Sequence, residues 1–126
     1  LLSNLIRQGV VPVMAPLTHD GQGSMLNTNA DTIAGETAKA LAEFFDVTLV
    51  FCFEKKGVLS DENDDDSVIP VITPEEFKMY VEKGIIQGGM IPKLENSFFF
   101  FFEGVSQVII TQASSINGEG GTIIRK

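Results

Sequence analysis

Val47-Thr48-Leu49-Val50-Phe51-Cys52-Phe53 is an unbroken apolar run rich in β-branched and aromatic side chains, interrupted only by a threonine. Such a run reads as a strand. Because it lacks polar–apolar alternation, it reads as a central strand covered on both faces, the kind found in mainly parallel sheets. Parallel neighbours need crossover connections, usually helical, so the residues on either side should carry the helical period.

They do. Upstream, residues 29 to 45 place Ile33, Thr37, Leu41 and Phe44/Phe45 on one stripe padded with alanines, with Thr28 or Asn29 as the cap. Further back, Thr18–Met25 is turn-rich and its Asp20-Gly21 pair signals a hairpin. Val10–Leu17 reads as an apolar strand, with Pro12 and Pro16 placing part of it at an edge or bend. Leu1–Gln8 has the spacing of a helix tail that stops at Gly9.

Downstream, Glu54–Ile72 is a polar excursion containing the acidic run Asp61–Asp66. Thr73-Pro74-Glu75-Glu76 has the capping-box pattern with proline at the first helical position, and that helix should end at Gly84. A further helix is expected from Pro92 to about Glu103, then a strand over Val105–Gln112 and a short last one over Thr122–Arg125. Strands alternating with helices predict an α/β layered domain with a mainly parallel sheet.

With 126 residues the chain suffices for one domain with one core. Hydrophobic residues at 44% and charged residues at 21% are ordinary for a globular protein. The net charge of −8 repels phosphate backbones and anionic lipid, so neither nucleic acid nor a membrane surface is an expected partner. A bound nucleotide would need local lysines, backbone N–H groups and Mg²⁺ to offset its charge. Cys52 is the only cysteine, which excludes a disulfide framework and favours a reducing, cytoplasmic setting. The apolar runs fall far short of the roughly 20 residues needed to span a bilayer. No signal peptide or initiator methionine is visible, so the chain is expected to be part of a longer protein.

Several motifs fail on inspection. There is no GxxxxGK[ST], and neither Gly21-Gln22-Gly23 nor Gly118-Glu119-Gly120-Gly121 completes a dinucleotide fingerprint. His19 is the sole histidine and has no positioned partner for nucleophilic catalysis. Asp61, Asn63 and Asp65 fit the first ligand positions of a calcium loop. However, Asp66 stands where a glycine is needed and Ile72 where a glutamate is needed, so a solvated loop is expected and no metal site is assigned.

Two stretches carry chemistry. Asn27-Thr28-Asn29-Ala30-Asp31 enters a helix N-terminus, where free N–H groups and the helix dipole favour anions. Asn27 offers amide donors to a carboxylate and Asp31 is placed to meet cationic side chains, although plain capping explains the same residues. In Gly84–Lys93 (GIIQGGMIPK), paired glycines allow close backbone approach, and Lys93 falls in a first helical turn where only an anion compensates its charge. An exposed lysine on a loop is the plainer account of that stretch.

Taken in order, GVVPVMAPL, DGQGSMLNTNADTIAGETAKAL, VTLVFCFEKKGVL, TPEE, GIIQGGMIPK and the late GGT resemble the amino acid kinase family, and within it the acetylglutamate kinase branch. The resemblance runs through nearly the whole chain and implies the C-terminal, ATP-binding half of a three-layer αβα sandwich with a mainly parallel sheet. The implied reaction is transfer of the γ-phosphoryl group of ATP to the side-chain carboxylate of N-acetylglutamate or another N-acylglutamate, in arginine synthesis. By family pattern Lys93 stabilises the transition state, Asp31 orients the lysines, and Asn27 holds the acylglutamate. Glu54, Lys55, Lys56, Gly57, Val58 and Leu59, with Ile85, Ile86 and Gln87, line the nucleotide site. ATP would carry Mg²⁺, and the full-length protein would be a homo-oligomer, a dimer. A non-catalytic nucleotide-binding or sensing module is the alternative, and the acyl group stays open between acetyl and succinyl.

The chain also departs from that pattern. Glu54-Lys55-Lys56 precedes Gly57 where the family carries an aspartate and a small or apolar pair, and Ala113–Gly121 is short. The family's N-terminal half, with its Gly-rich loop and lysine, is absent, so the chain alone is expected to have negligible kinase activity. Within Phe98–Phe102, Phe98, Phe101 and Phe102 are expected inward with Leu94. Phe99 and Phe100 are expected outward, as an exposed aromatic patch.

Overall fold

The computed structural model describes residues 1–27, 29–116 and 120–125. Helix α1 (Leu2–Arg7) is followed by a hairpin of β1 (Leu17–His19) and β2 (Met25–Asn27), paired antiparallel. Helix α2 (Ala30–Leu41) leads into β3 (Thr48–Phe53). The order continues with β4 (Val71–Ile72), α3 (Pro74–Glu82), α4 (Met90–Phe102), β5 (Gln107–Gln112) and β6 (Thr122–Ile124). One sheet runs β3-β5-β6-β4. β3 is parallel to β5 and β4 to β6, while β5 and β6 are antiparallel. This is the mainly parallel α/β arrangement that the alternation predicts.

Local chemistry accounts for the element ends. Asn29 caps α2 by accepting the Asp31 N–H at 2.8 Å; Thr28, the other candidate cap, lies outside the described residues. Thr73 caps α3, accepting the Glu76 N–H at 3.3 Å and donating to Glu76 Oε1 at 3.1 Å, with Pro74 at the first helical position. In the β1–β2 turn the Gln22 and Ser24 N–H groups donate to Asp20 Oδ1 at 2.7 and 3.3 Å. Those donors favour the carboxylate, so an NMR titration is expected to place Asp20 below its ordinary 3.8; a midpoint at or above 3.8 contradicts the turn geometry.

The core gathers Leu49 and Phe51 of β3, Val108 and Ile110 of β5, Ile124 of β6 and Ile72 of β4 under Leu94 and Phe98 of α4. Full burial of each large aliphatic side chain contributes roughly 1.5–3 kcal/mol before chain entropy is counted. Helix α2 packs on β3, and α4 packs on β5, β6 and α2.

Four expectations are corrected. Residues 10 to 16 form no strand: Pro12 and Pro16 offer no N–H, no described strand pairs with this stretch, and Val11 and Val13 are 85% and 94% exposed. β3 is not central but at one edge of its sheet, and Cys52 is exposed. Helix α2 stops at Leu41, so Phe44 lies beyond it and is exposed; the fully buried positions of α2 are Gly35 and Ala38, not the Ile33–Thr37–Leu41 stripe. Finally, Phe100 is buried and Phe102 exposed, while Phe99 is exposed as expected.

The last two corrections share a cause. A Cβ on Gly35 would lie 1.9 Å from Phe100 Cε2, so the bare backbone of α2 is the floor on which the Phe100 ring rests. A second helix lying over α4 gives that helix a second inward-facing side. A single-stripe reading of α4 does not anticipate it.

Candidate functional site

Two cavities open side by side around the C-terminal end of β3 and the N-terminus of α4. The first, about 300 Å³, is walled by Gly57, Val58 and Leu59 on one side and by Ile85, Ile86 and Gln87 on the other, with Met90 between. Lys55, Glu62 and Asn63 supply its remaining polar groups. The second, about 530 Å³ and more open, is lined by Cys52, Phe53, Glu54, Gly89 and Lys93, together with Lys55 and Met90. Lys55 and Met90 therefore belong to both, and the two spaces meet there.

The wall of the first cavity is built by a clasp. Leaving β3, the chain turns back at Gly57, where a Cβ would stand 2.7 Å from Thr122 Oγ1. Only glycine permits that approach. The buried Thr122 hydroxyl accepts the Val58 N–H at 2.9 Å and donates to the Ile69 carbonyl at 2.7 Å, fastening both ends of the acidic excursion to β6. Between them a bridge of Leu59 with Val68 closes a hairpin tip. The Ser67 hydroxyl lies within hydrogen-bond distance of the Asp61 and Asp64 carbonyls. The tip thus holds Glu62 and Asn63 at the cavity while Asp61 to Asp66 stay exposed.

The floor of the second cavity is a helix start. α4 begins at Met90, two residues earlier than the proline suggested, with Gly89 as its cap and no acidic residue in its first turn. Met90 and Ile91 N–H groups have only long bonds of 3.4 and 3.3 Å to Gln87 and Gly88 carbonyls, and Pro92 has no N–H. Such an N-terminus has unused donor capacity and a positive dipole end. Gly88, at φ +61, makes the turn into it.

Lys93 stands on this first part of α4 with Nζ 3.7 Å from the centroid of the Phe53 ring. A cation on a ring face is worth about 0.5–2 kcal/mol, enough to park the side chain but not to fix it. A narrow crevice beside it is lined by Asp31, Phe51, Phe53, Lys93 and Asn96, so Asp31 at the start of α2 and Lys93 at the start of α4 face a common space. Among the described residues neither enters an ion pair; the pairs are Lys39–Glu36, Lys55–Asp65 at 3.4 Å and Lys56–Asp66 at 4.0 Å.

Of the residues named from sequence, Lys55, Gly57, Val58, Leu59, Ile85, Ile86 and Gln87 share one cavity, and Glu54 and Lys93 share the other. Lys56 lines neither and turns to Asp66 instead. Asn27 ends β2, paired with Leu17; its side chain is outside the described residues. Sequence reasoning missed Glu62, Asn63, Cys52 and Phe53 as lining residues. The signal for the first two was the apolar triplet Gly57-Val58-Leu59 against Val68-Ile69, which announces a hairpin with its tip at Asp61–Asp66. Among the described residues no group of three or more His, Cys, Asp or Glu side chains is arranged to hold a metal ion, and no helix is long and apolar enough to cross a membrane.

The amino acid kinase family model matches residues 1–112. The acetylglutamate kinase of Phocaeicola vulgatus is 80% identical over 125 residues, which cover 99% of this chain and 49% of that protein. The chain thus spans about half the length of the curated relatives it matches. Among solved structures, smu.665 from Streptococcus mutans UA159 superposes with a TM-score of 0.75 at 31% identity, covering 98% of this chain and 46% of that one. N-acetylglutamate synthase from Neisseria gonorrhoeae, complexed with coenzyme A and N-acetyl-glutamate, gives 0.81 at 18% identity, over 99% of this chain and 30% of that one, a likeness of fold alone.

Proposed function

The chain belongs to the amino acid kinase family, and on that premise we propose that it supplies the ATP-binding half of an enzyme that phosphorylates the side-chain carboxylate of N-acetyl-L-glutamate or another N-acylglutamate in arginine synthesis. The observation that carries this reading is the meeting of an apolar cavity with a cationic one at Lys55 and Met90. The base takes the first, between Val58 and Ile86, and the phosphates reach into the second. There Gly89, Lys55 and Lys93 offer a helix start without a side-chain cap and two cations.

The reacting carboxylate has a reference pKa of about 4.3, so it needs no general base at neutral pH. Its oxygen attacks the γ-phosphorus while the bond to the β-phosphate oxygen breaks, leaving ADP and an acyl phosphate. What the protein must supply is alignment and stabilisation of the moving negative charge. In this reading Lys93 leaves the Phe53 face for the γ-phosphoryl oxygens and Asp31, across the crevice, steers its ammonium group and takes no proton. Asn27 holds the acylglutamate. Mg²⁺ bound to the nucleotide would offset part of the phosphate charge. The full-length enzyme is then a cytoplasmic homo-oligomer.

Asp31→Asn tests the reading in a protein of the relatives' full length. The turnover number is expected to fall by roughly a hundredfold, with the KM for ATP within about threefold, because lysine placement matters most in the transition state. A near-normal turnover number removes Asp31 from the mechanism. A sensing module would show ATP binding and no turnover in either protein.

A further inference from the structure

The hairpin tip adds Glu62 to a mainly aliphatic cavity whose other polar lining residues are Lys55, Asn63 and Gln87, and binding of the base and phosphates gives this acidic residue nothing to do. Glu62 lines the first cavity with Val58, Ile86 and Met90. Phosphate is the wrong ligand for it, since two anions repel. The base is a poorer match: its flat faces suit the aliphatic wall, and its one exocyclic donor, the 6-amino group, is flanked by the acceptors N1 and N7, which repel a carboxylate. A nucleotide has one further feature, the vicinal hydroxyls of its ribose. An ionised carboxylate is an acceptor-only fork, and two adjacent hydroxyls can offer one donor to each of its oxygens.

Order along the ligand gives the same assignment. With the base in the first cavity and the phosphates in the second, the sugar lies where they meet, at Lys55 and Met90. Glu62 shares the first cavity with both of those residues. The tip does not hang free: Asp61 Oδ1 accepts the Asn63 N–H at 3.0 Å, Ser67 ties it from inside, and the Lys55–Asp65 pair at 3.4 Å ties it to the cavity edge. Glu62 is therefore carried on a folded turn.

We propose that Glu62 is a specificity-determining residue that accepts hydrogen bonds from the ribose hydroxyls, so that the site selects ribonucleotides over 2′-deoxyribonucleotides. The assignment rests on the reading of this cavity as the nucleotide site. Isothermal titration of a protein of the relatives' full length with Mg²⁺-ADP and Mg²⁺-2′-deoxy-ADP tests it. ADP is expected to bind about tenfold more tightly than its deoxy analogue, the worth of one hydrogen bond to a charged group. In Glu62→Ala the two should bind within about twofold, because ADP loses the bonds of both hydroxyls and the deoxy analogue only that of its 3′-hydroxyl. Asp66→Ala removes the same charge from the same hairpin outside the cavity, and should keep the original ratio. Equal binding of the two ligands to the unmodified chain overturns the proposal, as does a ratio unchanged in Glu62→Ala or lost equally in Asp66→Ala. In all three cases the nucleotide reading survives. Absence of ADP binding altogether overturns both.

Discussion

Replacing Gly35 by alanine is expected to destabilise the fold by about 1–2 kcal/mol, although alanine is the better helix former. Two terms of opposite sign compete. In the middle of α2 the exchange should gain about 1 kcal/mol of helix propensity. Against it, the new methyl would stand 1.9 Å from Phe100 Cε2, 2.1 Å from Cζ and 2.4 Å from Cδ2, all inside the distance real carbon atoms allow. The ring has little room to retreat, because Phe100 is only 4% exposed and belongs to the main core cluster. Overpacking a filled core typically costs about 1–3 kcal/mol and sometimes more, so the steric term wins. Urea denaturation should show a lower midpoint with an unchanged slope. Phe100→Leu added to Gly35→Ala should recover part of the loss, a coupling expected only of groups in contact. A Gly35→Ala protein as stable as the parent would show that α2 and α4 are not seated this way.

Lys93→Met carries the largest expected effect on activity. In the full-length protein, turnover should fall by about 10²–10³-fold, the range for removing one preorganised charge from a developing anion. Methionine keeps the length and the packing on Phe53, so the change isolates the charge. Affinity for ATP should fall much less, since Lys55 and the α4 N-terminus remain. Lys93→Arg should not rescue turnover: a planar guanidinium, best stacked flat on Phe53, presents its charge at a different depth from a compact ammonium. Steady-state kinetics with ATP and N-acetylglutamate give the answer, and turnover within about tenfold of the parent would exclude Lys93 as the main stabilising charge.

Much of this architecture was legible where the determinants are local. Thr73-Pro74-Glu75-Glu76 starts a helix because its own atoms complete the cap, and Asp20-Gly21 turns a hairpin because its own carboxylate binds the turn. Gly57–Leu59 and Ile85–Gln87 were picked out by resemblance, and the geometry brings them to one cavity. What escaped depended on neighbours. Whether Val10–Leu17 pairs as a strand is decided by what lies beside it, which a hydropathy pattern does not contain. The same holds for the edge position of β3. Phe100 was misplaced because burial on α4 is set by a glycine some sixty residues earlier in the chain. β4 was overlooked because Val71-Ile72 sits at the end of an acidic stretch whose average polarity hid it, although Ile72 is fully buried.

The Thr122 clasp also has a consequence in time. Its hydroxyl joins Val58 and Ile69, partners 64 and 53 residues earlier in the chain. Closing loops of that size is slow compared with forming a helix or a hairpin, and their entropy must be spent before the contacts return it. Helices α2, α3 and α4 can therefore begin to coil during synthesis, but the wall of the first cavity has nothing to fasten to until β6 has left the ribosome. That cavity is a late product of folding, and a nascent chain that stalls before Thr122 would carry every residue of its wall without the space they enclose.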